Sequence, residues 1–363
     1  MSARFRQLFA SGLLTLGSVL GALPMAAEAE AAGLDNRYQL STESGYTERM
    51  SREIEPFFQK TRQEGRFIGV RGTRIAYATF IHPQEQGAIV LVSGRTESYL
   101  KYKEMVYDLY RQGYSVYMHD HRGQGLSERL LDDREKGYVE QFSDYVEDLD
   151  IFVRSIVLSR SHERLFLLTH SMGGGVGTLY IEKYPDVFRA AALSSPMHAP
   201  NAKILSSAED GCQWFKSAEG LCKDCYAGLL PRPYKTKVYK GNDYTSSEVR
   251  FQEFRDVYEN NPPIRLGGAT RHWVAESCRA SDQLIANAGK IRIPVLVLQA
   301  GEDTAVTPEA QNAFCKSLAD QTGKTCLSGK PVRFEGAQHE LFIEADRFRI
   351  PALNLILDFL AAY

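Results

Sequence analysis

The chain has 363 residues, 44% of them hydrophobic and 24% charged. That length and balance suit one large α/β domain or two smaller ones, and exclude wholesale disorder, collagen, coiled coil and a multi-span membrane protein. Lys and Arg total 43 against 45 Asp and Glu, a formal charge of -2, so no basic excess exists to coat a nucleic acid.

The first element stands apart from the rest. Arg4 and Arg6 precede an apolar run from Leu8 to Ala27, which exits through Ala27-Glu28-Ala29 and Ala29-Glu30-Ala31. A basic start, an apolar centre and an A-x-A exit read as a secretory signal peptide over residues 1–29, removed on export to the periplasm or beyond the cell. The competing reading is an uncleaved inner-membrane anchor. Gly12, Gly17, Gly21 and Pro24 within the run, and the lack of a basic stop, weigh against it. Residues 30–59 are an N-terminal extension, and residues 60–363 form the folded domain.

Phe67–Ile81 reads as a hairpin through Gly72. Ala88–Val92 is a buried strand followed by a helix over Tyr99–Arg111, and Val116–His119 is the next strand. Phe142–Leu158 has helical spacing, Leu165–Thr169 is a strand, Gly173–Tyr184 a helix and Ala191–Ser194 a strand. Val295–Gln299 and Val332–Phe334 complete the strands, with helices near Glu309–Leu318 and over Pro351–Tyr363. Continuous apolar strands alternating with amphipathic helices predict a mostly parallel sheet covered on both faces.

Residues 197–263 break that alternation. They carry Cys212, Cys222 and Cys225, several prolines and no strand pattern, and read as an inserted cap. With Cys278, Cys315 and Cys326 the cysteines number six, which in an oxidising compartment predicts up to three disulfides. Cys315–Cys326 is the best single pair. Cys222-Lys223-Asp224-Cys225 also reads as half a zinc knuckle or a redox pair, but it has neither a second close pair nor a thioredoxin context.

Thr169-His170-Ser171-Met172-Gly173-Gly174-Gly175 follows a strand and opens a helix. That is the setting of a nucleophile elbow, where a strained turn lifts a serine hydroxyl clear of the sheet. The usual pattern is G-x-S-x-G, and Thr169 stands at the first glycine. A capping serine is the bland alternative. The partners should follow in the order acid, then histidine. His339 is the histidine after the last strand, and eight Asp residues lie between it and Ser171. Of these, Asp303 follows a strand end, with Glu302 as its competitor. The catalytic candidates are therefore Ser171, Asp303 and His339. The backbone N–H groups of Met172 and Arg95 are the candidate oxyanion donors, each worth about 3–4 kcal/mol.

Several motifs together resemble a family. They are Gly-Arg-x-Glu-Ser-Tyr (Gly94–Tyr99), Asp-His-Arg-Gly-Gln-Gly (Asp120–Gly125), His170-Ser171-Met172-Gly173-Gly174, Arg-x-Gly-Gly-x-Thr (Arg265–Thr270) with His272-Trp273-Val274, and Gly-Ala-x-His-Glu (Gly336–Glu340). Over about residues 60–362 the chain resembles the α/β-hydrolase branch of monoacylglycerol lipases and bacterial lysophospholipases, the latter more closely. The resemblance implies an α/β-hydrolase fold with an inserted cap, the triad named above, and no metal or organic cofactor. It also implies an ester hydrolase acting on lysophospholipid, with a monoacylglycerol lipase or general esterase as the alternative. Monoacylglycerol lipases usually carry His-Gly in the oxyanion turn. Ser93 replaces that His here, but the donor is a backbone amide and Arg95 still supplies it. A serine peptidase and a non-catalytic binder on the same fold are the competing readings, and the intact Ser, Asp and His argue against the binder.

Two further features remain. His119-Asp120-His121 has metal-ligand residue types, but only the two histidines share a strand face. Arg232, Lys235, Lys237 and Lys240 form a basic run in the cap, and are candidate contacts for a lipid head group or an anionic membrane. A solvated basic loop is the bland alternative.

Overall fold

The computed structural model describes residues 33–202, 208–228, 230–323 and 326–363. Residues 1–29, read above as a signal peptide, lie outside the described residues. Eight strands among the described residues form one sheet: β1 (Gln63–Ile68), β2 (Arg74–Phe80), β3 (Gly87–Val92), β4 (Tyr114–His119), β5 (Leu165–His170), β6 (Ala190–Ser194), β7 (Val295–Ala300) and β8 (Val332–Phe334). Their spatial order is β1-β2-β4-β3-β5-β6-β7-β8. β2 runs antiparallel to both neighbours and every later pairing is parallel.

Every residue of β3, β4, β5, β6 and β7 is buried. Alternate side chains feed two cores. Val90, Leu167 and Val297 face the helices α4 (Ser143–Ser155), α5 (Met172–Lys183), α8 (Arg271–Ala286) and α9 (Pro308–Thr322). Ile89, Leu91, Phe166 and Leu298 face α3 (Lys103–Arg111) and α10 (Asp346–Ala361). Covering both faces is what makes these strands read as unbroken apolar runs rather than alternating ones.

The segment before β1, the N-terminal extension, packs on the body. It forms α1 (Tyr46–Arg49) and α2 (Glu55–Thr61), joined by a π-turn, and buries Leu40, Tyr46, Met50, Ile54 and Phe58. A buried charge network pins it to the body. Arg250 bonds Glu104 at 3.0 Å, Asp346 at 2.8 Å and the Ser41 carbonyl at 3.3 Å. Arg349 bonds Asp108 at 2.7 Å and the same carbonyl at 3.0 Å. Each of these cations is tolerable in the interior because carboxylates and carbonyls surround it.

Between β6 and β7 the chain forms α6 (Ala208–Ala218) and α7 (Glu248–Asn260). Phe251, Phe254, Val257 and Tyr258 of α7 pack with Leu100, Leu126 and Ile343. Those three residues follow β3, β4 and β8, so α7 sits over the C-terminal edge of the sheet. The chain does not rejoin the sheet at residue 263. It first forms α8, capped by Thr270, whose hydroxyl accepts from Trp273 N at 3.2 Å. Trp273, Cys278 and Leu284 of α8 enter the sheet core.

All six cysteines are paired, as Cys212–Cys278, Cys222–Cys225 and Cys315–Cys326. The first clamps α6 to α8 across 66 residues of sequence. The Cys222-x-x-Cys225 pair closes on itself in the loop after α6.

Candidate active site

Ser171 is the residue between β5 and α5, and its backbone is held at φ 53°, ψ -121°. A non-glycine residue there is strained by about 1–3 kcal/mol. Three hydrogen bonds hold it: Ser171 N donates to Ser194 O at 3.0 Å, while Gly174 N and Met197 N both donate to Ser171 O at 2.8 Å. The glycines of α5 serve close approach. A Cβ on Gly173 would overlap the carbonyl oxygens of Val92 and Ser93. A Cβ on Gly177 would meet the Thr169 methyl at 2.7 Å. Thr169 thus occupies the space that Gly177 leaves, which is how the elbow tolerates a β-branched residue where glycine is usual.

The structure brings the three catalytic candidates together. His339 Nδ1 lies 2.7 Å from Asp303 Oδ2, and Nε2 lies 2.8 Å from Ser171 Oγ. An ionised carboxylate only accepts, so Nδ1 carries the proton and Nε2 is free to accept from the serine hydroxyl. Asp303 is itself oriented, since its Oδ1 accepts from Ala305 N at 2.8 Å and Val306 N at 3.1 Å. Its competitor Glu302 is exposed. Burial acts to lower the His339 pKa, but the charge and hydrogen bond of Asp303, with Glu340 and Glu97 nearby, outweigh it and raise the pKa above its ordinary 6.5.

The turn after β3 approaches from the other side. A Cβ on Gly94 would lie 3.0 Å from the Ser171 Cβ. The amides flanking Arg95 are both engaged, Gly94 N with Glu97 Oε2 at 2.5 Å and Thr96 N with Gln124 Oε1 at 2.5 Å. The Arg95 N–H has no such partner among the described residues. Met172 is the first residue of α5, where a helix leaves its N–H groups without intrahelical acceptors. Both candidate oxyanion donors are therefore available beside Ser171.

The residue types alone did not single out Glu97, Lys101, His170 and Glu340, which form a buried network behind the triad. Lys101 Nζ bonds Glu340 at 2.6 Å and also Glu97, and His170 Nε2 lies 3.1 Å from Glu340. Tyr102 donates to Glu97 as well. Burial would raise Glu340, but His170 and Lys101 outweigh it and hold the carboxyl well below the usual carboxylate range. Lys101 is raised in turn, because the two carboxylates overcome its own burial. The available signal was positional, since His170 and Glu340 adjoin Ser171 and His339, and Glu97 lies within Gly94–Tyr99.

His119 and His121 remain inside the fold, with ring centres 5.1 Å apart. Burial pushes His121 to about 4 and His119 well below its ordinary value, so both are neutral at pH 7. Asp120 instead accepts from Ser98 Oγ, Tyr99 N and Leu126 N at 2.7–2.8 Å.

The triad opens on a cavity of about 730 Å³. Its walls come from the turn after β3, from α6, α7 and α8, and from the loop joining them. Met197, Phe215, Phe254, Trp273, Val274 and Val306 supply much of the apolar lining. The structure divides the basic run. Arg232 and Lys237 line this cavity. Lys235 and Lys240 are exposed and do not.

Comparison with known proteins gives a consistent result. A family model described as "Serine aminopeptidase, S33" matches residues 83–346. Lysophospholipase L2 of Escherichia coli (strain K12) is 36% identical over 302 residues, covering 83% of this chain and 88% of that protein. The probable lysophospholipase L2 of Haemophilus influenzae is 29% identical over 311 residues, covering 85% and 95%. Among solved structures, the monoacylglycerol lipase of Paleococcus ferrophilus shares the fold with a TM-score of 0.61 at 21% identity, over 79% of this chain and 98% of its own.

The raised His339 pKa sets a pH dependence. The base must be neutral to take a proton, so kcat/KM for an uncharged ester should climb with rising pH through a midpoint above 6.5. Asp303→Asn removes the chief cause of that elevation. Its pH profile should show a lower midpoint, and its rate should fall by about 10⁴-fold as the imidazole loses its tautomer. A wild-type midpoint below 6.5 would contradict the assignment.

Proposed function

The chain belongs to the serine aminopeptidase S33 family of α/β-hydrolases, and from that membership we propose that it is a lysophospholipase, releasing a fatty acid from lysophospholipid through an acyl-Ser171 intermediate. The observation that carries this reading is the Ser171–His339–Asp303 relay at the base of an apolar cavity with basic residues in its walls. His339 takes the serine proton as Oγ attacks the ester carbonyl. The Arg95 and Met172 amides receive the developing oxyanion, and Asp303 stabilises the imidazolium. His339 then protonates the leaving glycerol oxygen, and water repeats the cycle on the acyl-enzyme.

The cavity lining favours an anionic lipid over a peptide amine. An aminopeptidase needs an unengaged carboxylate to hold its substrate's ammonium. The described acids lining the cavity are Glu97 and Glu340, and Lys101 and His170 already engage both. A monoacylglycerol fits the same apolar walls but has no charge to answer the basic residues.

Two further proposals accompany this one. The chain is exported after loss of residues 1–29, a reading supported by the A-x-A exits and by the pairing of every cysteine. The cap also docks on anionic membrane. Trp214, Leu221, Leu230 and Val238 are exposed apolar residues of the cap, and Lys235 and Lys240 are exposed close to Leu230 and Val238 in sequence. Apolar side chains flanked by lysines suit a lipid interface, at about 1 kcal/mol per basic residue near the surface.

Ser171→Ala and His339→Ala should each abolish nearly all hydrolysis in folded protein, with the double variant little worse than either single one because the triad acts as a unit. Assays on lysophospholipid, monoacylglycerol and a peptide amide in parallel would check this. More than a few per cent of activity left in Ser171→Ala would overturn the triad. For export, N-terminal sequencing of protein from the periplasm or medium should begin near Glu30 or Ala32. A start at Met1 in membrane pellets would establish the anchor instead. For docking, cosedimentation with phosphatidylglycerol vesicles should weaken when Lys235 and Lys240 are replaced by Gln, and should weaken with added salt. Binding unaffected by either change would dismiss the docking face.

A further inference from the structure

Four cations line the cavity, Arg95, Arg232, Lys237 and Arg271, and burial disfavours the charge of two of them, Arg95 and Lys237. Arg95 stands in the oxyanion turn. Its Nη2 donates to Gly267 O at 2.8 Å, and its guanidinium lies over the Trp273 ring at 5.1 Å. Its Nε is covered and unbonded. Lys237 reaches in from the cap, with Nζ 3.8 Å from the centre of the Tyr244 ring and 4.7 Å from that of Phe254. Among the described residues, no carboxylate forms an ion pair with either side chain. Glu97 and Glu340 are held by Lys101 and His170, and Asp243 accepts from Thr304 Oγ1 at 2.7 Å. Burial pushes Lys237 down to about 8 and Arg95 to about 10. Arg95, Lys237 and Tyr244 line the same cavity.

Desolvating a cation without a counter-ion is costly, and a bound anion removes that cost. We infer that the Arg95 and Lys237 side chains form an anion subsite that takes the phosphate of a lysophospholipid while its ester lies at Ser171; the inference rests on the lysophospholipase reading. Arg95 is suited by chemistry, since a guanidinium keeps its charge and its remaining N–H groups can donate to a phosphate oxygen. It is suited by place as well. Its amide faces the oxyanion while its side chain lies within the same cavity, so one residue holds both the reacting carbonyl and the head group. In a lysophospholipid, ester and phosphate share one glycerol and lie a few bonds apart. A monoacylglycerol offers only a hydroxyl there. The basic run of the cap thus has two parts: Arg232 and Lys237 line the cavity, whereas Lys235 and Lys240 are exposed outside it.

The test uses the full chain and Lys237→Gln on two soluble substrates of equal acyl length, kept below their micellar concentrations. One is a lysophosphatidylcholine and the other an uncharged p-nitrophenyl ester. The competing anions are sn-glycerol 3-phosphate and inorganic phosphate. For Lys237→Gln, KM for the lysophospholipid should rise about 10- to 100-fold relative to KM for the uncharged ester, and the inhibition constant of glycerol phosphate should rise by a similar factor. Lys237→Arg should restore both. An unchanged KM ratio in a variant with wild-type Tm overturns the subsite and leaves the lysophospholipase reading standing. Glycerol phosphate that competes through Lys237 in an enzyme that cleaves only monoacylglycerol does the reverse. Absence of competition by glycerol phosphate in the wild-type enzyme overturns the subsite without any variant. Equal competition by inorganic phosphate makes it a free-anion site and overturns the head-group assignment.

Discussion

The strained backbone of Ser171 is the constraint on which the rest of the site depends. At φ 53°, ψ -121° the residue sits where side chains are rarely stable, and it persists only because its surroundings over-determine it. The β6 strand accepts its N–H, and the chain beyond β6 donates to its carbonyl. The glycines of α5 let the helix start almost in contact with the turn after β3. One geometric demand therefore links three neighbouring strands. It also explains the departure at Thr169, whose bulk is absorbed on the helix side by Gly177 rather than in the turn.

Electrostatics behind the triad impose a second level of order. Glu97 joins the turn after β3 to Lys101, and Lys101 joins it to Glu340, the residue after the catalytic histidine candidate. His170, the residue before Ser171, closes the circuit. The loops after β3, β5 and β8 are thereby tied through buried charge rather than through apolar packing. Buried charges are stable only when each has its partners, so a shift in one loop is felt by the other two. The same network satisfies the cavity's acids internally, and so leaves the basic residues Arg95, Arg232, Lys237 and Arg271 facing a ligand.

The cavity is a product of chain segments with little local signature. Its roof comes from α6, α7 and the loop between them, clamped to α8 by Cys212–Cys278. Apolar residues on these elements line the cavity or pack over the sheet edge, while others remain exposed on the outer face. Apolar cavity walls suit an enzyme that takes an acyl chain.

Much of this was legible in the order of residues. The parallel strands declared themselves as continuous apolar runs, because both faces of the sheet are covered. The elbow, Asp303 and His339 were legible because each follows a strand end, and strand ends in this fold converge on one edge. The short Cys315–Cys326 pairing was equally local. Other features depended on packing between distant segments. The helices α6, α7 and α8 all lie between β6 and β7 with no strand alternating between them, so chain order does not say which surface each packs on. The Cys212–Cys278 bond joins residues that only the docking of α6 on α8 makes adjacent. Lys237 differs from Lys235 and Lys240 in no property of composition. Only the fold turned its side chain toward Tyr244 and Phe254, because a loop without regular structure has no period from which inside and outside can be read.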